Sequence, residues 1–126
     1  MSAVAAAARA LVGAPFRLHG RDAAGGLDCV GVVALALQGG GHRVVVPSGY
    51  ALRGGDPASV IARIDAVLAR AAADAPGDIV LTTTGPGQLH LAVRVAGGFV
   101  HADAGLRRVV MRPGEPPWPL LAAWAT

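Results

Sequence analysis

The spacing of apolar residues changes character partway along this chain. Up to about residue 71 they recur at helical intervals, and from Asp78 onward they fall in short β-branched runs. The first part therefore predicts helices and the second predicts strands. Residues 3–12 are Ala-rich and helix-favouring, closed by Gly13 and then Pro15. A loop over 13–27 leads to a second helix over about 28–38. Asp28 is its N-cap, Val30, Val33, Ala34 and Leu37 form its apolar stripe, and Gly39-Gly40-Gly41 ends it. Val44-Val45-Val46, bounded by Pro47, predicts a short edge segment. A third helix opens at Asp56-Pro57, with Val60, Ile61, Ile64, Val67, Leu68 and Ala71 on one face, and Pro76-Gly77 breaks it.

The strands run from Asp78 to Thr84, His90 to Val95, Phe99 to Ala102 and Val109 to Met111. The tail from Pro113 to Pro119 is expected to be extended, with Trp118 and Trp124 docking on the domain. Helices followed by a run of strands form the α+β pattern, and the length fits one domain over 1–126.

Alternation places His90, Ala92 and Arg94 on one face of their strand, and Phe99 with His101 on one face of the next. The turn decides whether the histidines meet. A Gly97-Gly98 loop would pair His101 with Arg94 and leave His90 roughly 13 Å away. An Ala96-Gly97 loop pairs His101 with Ala92, and His90 becomes its diagonal neighbour at roughly 7–8 Å between backbones. The second register, or a bulge with the same effect, is expected.

Hydrophobic residues make up 53% of the chain, much of it alanine and valine, but no apolar run is long enough to span a bilayer. The Ala3–Ala8 run lacks the basic start and length of a signal peptide, so the chain is expected to be made in the cytoplasm. Net charge is +3, and the eleven basic residues are all arginines, scattered rather than striped and without interleaved aromatics. That pattern argues for a solvated surface and against nucleic acid as partner, with a weak attraction to an anionic polymer left open, and without a spanning run no membrane partner is expected.

Cys29 is the only cysteine, which excludes an internal disulfide. At the start of a helix its sulfur lies where unpaired N–H groups and the positive dipole end favour a thiolate. The alternative is an inert residue of the core. A thiol nucleophile needs a base, and the base needs an orienting group. His90 and His101 fit those roles, whereas His19 lies in the loop and His42 follows the glycines. A nearby imidazolium would lower the thiol pKa further, so Cys29 is expected to alkylate well below pH 8. Two histidines also suit a metal, with Asp103 on the same face as the only near carboxylate.

Five segments in order resemble the NlpC-type cell-wall peptidases, a papain-like bacterial family. Gly26-Leu27-Asp28-Cys29-Val30-Gly31 is similar to the family's G-[FL]-D-C-S-G segment, and Ala14-Pro15-Phe16-Arg17-Leu18-His19-Gly20 to the preceding P-Y-x-W-G-G. Pro76-Gly77-Asp78-Ile79-Val80, His90-Leu91-Ala92-Val93-Arg94-Val95 and Phe99-Val100-His101-Ala102 resemble the strand motifs P-G-D-[IVL]-[VI], H-V-G-I-Y-L and F-[IV]-H-A, with matching gaps. The resemblance covers about residues 5–112. It implies an α+β, papain-like NlpC fold with the nucleophile helix packed on an antiparallel sheet. It also implies Cys29 as nucleophile, His90 as base and then acid, and His101 as the group orienting His90, with no cofactor and no metal.

The implied reaction is hydrolysis of peptidoglycan stem peptides, usually at the γ-D-glutamyl–diaminopimelate bond, through an acyl-enzyme. Asp28, Phe16 and Val30 take the implied substrate-binding positions. Phe16 stands where the family has tyrosine, and Val30 replaces a serine that helps bind a free amino terminus. The bare G-L-D-C-V-G form is similar to the subgroup encoded with phage tails and gene-transfer-agent particles, which implies tail-tip proteins as partners. Two other readings stay open: a catalytically weak structural tail-tip component, and an amidase or acyltransferase using the same triad.

Overall fold

The computed structural model describes residues 2–44, 46 and 54–126. Helix α1 spans Ala3–Ala10, α2 spans Cys29–Gly39 and α3 spans Pro57–Asp65. The strands are β1 (Arg21–Asp22), β2 (Gly26–Leu27), β3 (Ile79–Gly85), β4 (Gln88–Val95), β5 (Gly98–Asp103), β6 (Arg108–Pro113) and β7 (Leu120–Trp124). Strands β1 and β2 form a small ribbon in the loop before α2, and the other five make one antiparallel sheet in the order β6-β5-β4-β3-β7.

The two caps expected from the sequence, Asp28 and Asp56, form, and Ser2 adds a third. The Asp28 carboxylate accepts from the Gly31 N–H at 2.8 Å, the Asp56 carboxylate from the Ala58 N–H, and Ser2 Oγ from the Ala5 N–H. Each satisfies an amide that the first helical turn leaves without a partner. Helix α2 packs against both α1 and one face of the sheet, which α1 also touches at β4, with Val30, Val32, Val33, Ala36 and Leu37 buried. Its glycine stop has a second use: a Cβ on Gly40 would run into the Val4 side chain, so glycine there lets α1 lie close.

Residues 89, 91, 93 and 95 of β4 join the helices in the main core, together with Ile79, Leu81, Val100, Val109 and Trp124. The opposite face carries a smaller cluster of Val80, Ala92, Phe99 and Ala123, with Trp118 packed against it. The hairpin register is the second of the two weighed above: Val95 faces Gly98 and Arg94 faces Phe99, with Ala96-Gly97 as the loop. Carried on one step beyond the last ladder pair, Val93↔Val100, this register sets His101 opposite Ala92.

Three expectations change. Helix α3 ends at Asp65 instead of reaching Ala71, and Val67 is exposed. The reason is an edge: the chain after α3 leaves the helix to hydrogen-bond along β7, Ala71 N–H to the Ala123 carbonyl and Ala125 N–H to the Ala69 carbonyl. The tail is not merely docked, since Leu120–Trp124 is a strand paired with β3. Trp124 is fully buried, and its indole N–H donates to Asp65 Oδ1 at 2.8 Å. Of the expected edge segment, Val44 and Val46 lie in no strand, and Val45 and Pro47 fall outside the described residues. Among the described residues no helix is long and apolar enough to cross a membrane.

Candidate active site

Cys29 is the first residue of α2, immediately after its cap. The loop before it is held tightly. The second Asp28 oxygen accepts from the His19 N–H at 2.9 Å, and Leu27 and Arg17 exchange backbone bonds with Pro15 and Leu27 respectively. A Cβ on Gly31 would collide with the Gly20 carbonyl, so the glycine after the Cys29-Val30 pair lets loop and helix touch. The helix start is thereby fixed from both sides.

His90 and His101 come from the neighbouring strands β4 and β5. His90 Nε2 lies 2.8 Å from His101 Nδ1, with ring centroids 5.0 Å apart and planes perpendicular. The Ala96-Gly97 turn and the alternation together produce this contact. Because β4 and β5 stop exchanging ladder bonds beyond Val93↔Val100, the strands part where the histidines sit. The backbone N–H of Leu91, next to His90, bonds the Cys29 sulfur instead.

Cys29, His90 and His101 line one cavity of about 330 Å³, together with Phe16, Asp28, Asp103 and Trp118 among others. The three residues singled out for catalysis thus share a site. Val30 does not: its side chain is 3% exposed and packs in the core, away from the cavity. Val30 lies one step past Cys29 in the first turn of α2, where residues 29–33 are all buried. Asp28 lines the cavity, but both its oxygens are engaged by backbone amides, so it holds the loop and the helix together.

The electrostatics also depart from expectation. Burial pushes the Cys29 thiol up to about 12, and the neighbouring Asp28 charge adds to the rise. The N–H groups of Leu91, Cys29 and Val30 pull the other way without reversing it. His90 is pushed down to about 4, mainly by burial and then by His101. His101 is lowered too, by burial first, with Asp103 opposing and Arg112 assisting. The resting site holds a neutral thiol and neutral imidazoles, not the low-pKa thiolate expected from the helix start. Desolvation of a thiolate that is only 4% exposed outweighs the partial charge of the helix end.

Sequence reasoning placed Trp118 on the domain but not at the histidines. Its ring lies 5.3 Å from His90 and 5.5 Å from His101 between centroids, at angles of 79° and 63°. The one local signal was its setting, Pro116-Pro117-Trp118-Pro119, a large aromatic on a stiffened segment. As for a metal, Asp103 lines the cavity but its Oδ1 accepts from the Leu106 N–H. Among the described residues no three His, Cys, Asp or Glu side chains gather as a metal site would need.

Solved structures provide the comparison. The chain is similar to the NlpC/p60 domain of the peptidoglycan hydrolase SagA, with a TM-score of 0.67 and 21% identity, covering 98% of this chain and 97% of that one. It is also similar to the peptidoglycan hydrolase RipB from Mycobacterium tuberculosis, with a TM-score of 0.60 and 23% identity, covering 97% of this chain and 62% of that one. No family model matches the sequence, and no curated protein matches it. The fold is therefore α+β of the papain-like NlpC/p60 type, a helix packed on an antiparallel five-stranded sheet.

Proposed function

We propose that this protein is a cysteine endopeptidase that hydrolyses peptidoglycan stem peptides, with Cys29 as nucleophile, His90 as general base and acid, and His101 as the residue that orients His90. The observation that carries the reading is the convergence of the only cysteine and a hydrogen-bonded histidine pair in one cavity. The names of the two similar structures, both peptidoglycan hydrolases, support the substrate class.

The neutral resting state shapes the mechanism. With the thiol protonated and His90 unprotonated, the proton moves as the sulfur attacks, not beforehand. His90 takes the Cys29 proton while a C–S bond forms at the scissile carbonyl. The oxygen that becomes negative is stabilised by backbone N–H groups at the start of α2, where those of Cys29 and Val30 already act on the sulfur. His90 then gives its proton to the departing amine, the C–N bond breaks, and an acyl-enzyme remains. Water, deprotonated by His90, releases the acid and restores the thiol.

The γ-D-glutamyl–diaminopimelate bond is the proposed target, and a phage-tail or gene-transfer-agent particle the proposed setting. Both rest on the resemblance of the Gly26–Gly31 segment and its companions. The buried, protonated thiol favours one competing reading, a structural tail-tip component of low activity. Digestion of purified peptidoglycan by wild type and Cys29→Ala, with mass spectrometry of the products, separates the two. New stem-peptide fragments from wild type alone support the peptidase and identify the bond. No fragments from either protein, with the fold intact, would overturn it.

A further inference from the structure

The sheet order puts β6 at one edge and β7 at the other, so residues 114–119 must pass across three strands to join them. They cross the face that carries the histidines. Pro113, Pro116, Pro117 and Pro119 restrict this connection, since each fixes its own φ and narrows the residue before it. Trp118 sits near its end, half-buried, with rings of His90, His101 and Phe99 all within 5.9 Å between centroids. A proline-bound segment thus sets one indole against both imidazoles.

What that indole does follows from counting protons. One hydrogen bond joins His90 Nε2 to His101 Nδ1, so only one of those nitrogens carries the hydrogen. If His101 Nδ1 carries it, the neutral His90 has its own proton on Nδ1, and no lone pair remains there to accept one from Cys29. If His90 Nε2 carries it, His90 Nδ1 is a free base, and His101 has its proton on Nε2. That nitrogen is buried and has no polar partner. Its ring has Phe99 at 5.1 Å and Trp118 at 5.5 Å between centroids as aromatic neighbours. An N–H directed at aromatic rings is attracted to their electron-rich faces, whereas a lone pair in the same place is repelled. The charged groups nearby are Asp103 on β5, Arg112 on β6 and Asp28 at the foot of α2. Arg112 stacks over Trp118 at 5.4 Å and over Phe99 at 5.7 Å.

We propose that Trp118 is a positioning residue whose ring, with Phe99, holds the proton of His101 on Nε2 and so keeps His90 in the tautomer that can act as a base. This rests on the reading of His90 as the base of Cys29. The indole touches the imidazoles and sets their proton arrangement, without itself exchanging a proton.

The test is the nitrogen spectrum of the two imidazoles by long-range proton–nitrogen NMR on the full chain at neutral pH. Wild type is expected to show His90 and His101 each as a single tautomer with the proton on Nε2. Trp118→Phe, which keeps a ring, retains that pattern. Trp118→Leu and Trp118→Met, which keep apolar bulk without a ring, give mixed tautomers while thermal melts show an intact fold. On a soluble stem-peptide substrate the ringless variants lower kcat by about tenfold with KM within about twofold, and the Phe variant recovers it. A wild-type spectrum with His90 protonated on Nδ1, or unchanged tautomers in a folded ringless variant, would overturn the proposal. If wild type cleaves no peptide, the peptidase reading falls, and the tautomer spectra still decide the role of Trp118.

Discussion

The two faces of the sheet are built differently. The face toward α1 and α2 is thick, continuous and apolar, with Ile79, Leu81, Val93 and Val100 fully buried between strands and helices. The other is thin: a few small residues, one phenylalanine, two histidines and an indole on a connecting segment, with Arg112 stacked outside. Cys29 is anchored in the first face and the histidines belong to the second. The first fixes where the sulfur is, through close packing that resists displacement. The second carries titratable rings that are polar, partly buried and shifted by burial and by their neighbours. The sulfur and the imidazoles thus belong to opposite sides of one sheet.

Several measurements would break or sharpen this division. The largest effect belongs to His90→Ala, expected to lower peptide hydrolysis by about 10²–10⁴-fold with little loss of stability. A large fall in the denaturant midpoint would mean that the thin face also supports the fold. Thiol alkylation follows: with Cys29 pushed up to about 12, its rate should rise about tenfold per pH unit from 7 to 10 without levelling off. A plateau below pH 8 would show that the helix start and an imidazolium outweigh burial after all.

A matched pair of truncations compares the faces directly. Val93 points into the thick core and Val80 into the thin one, and both are almost fully buried. Val93→Ala should cost about 2 kcal/mol and Val80→Ala about half of that, because a thin layer under a connecting segment can collapse on a cavity. Equal penalties in urea unfolding would remove the distinction.

Acid stability tests the thin face alone. His90 falls from an ordinary value near 6.5 to about 4 in the folded chain, so between these values the unfolded chain binds the proton and the folded one does not. The stability is present above about pH 6.5 and is lost as pH falls toward about 4. The loss amounts to at most about 3 kcal/mol from this group, with His101 acting in the same direction. His90→Gln should flatten that slope in midpoints measured across the window. An unchanged slope would mean that His90 titrates normally.

Much of this arrangement was written locally in the chain. Asp28 and Asp56 cap their helices because a short carboxylate reaches the free amides of the next turn, whatever lies beyond. Ala96-Gly97 makes the hairpin because Gly97 accepts a positive φ of 78°, and that register with simple alternation brings His90 to His101. The extent of α3, by contrast, depended on an edge of β7 more than fifty residues away in sequence, which no helical period could reveal. The strand at Leu120–Trp124 exists because β3 offers it a partner and Asp65 offers its indole an acceptor.

The site divides along the same line. Cys29, His90 and His101 were singled out as candidates from residue type, order and spacing, and the fold brings them to one cavity. Their protonation did not follow from those, since desolvation is set by everything packed around a group, and the helix start alone pointed the wrong way. Trp118 reaches the histidines only because the chain must cross the sheet to reach its far edge. The sequence by itself determined α1, α2, strands β3 to β6, the hairpin register and the candidate chemistry, since short-range sterics and hydrogen bonds decide those. Only the tertiary structure decided how dry the site is and what covers it, because both depend on segments brought together from the whole chain.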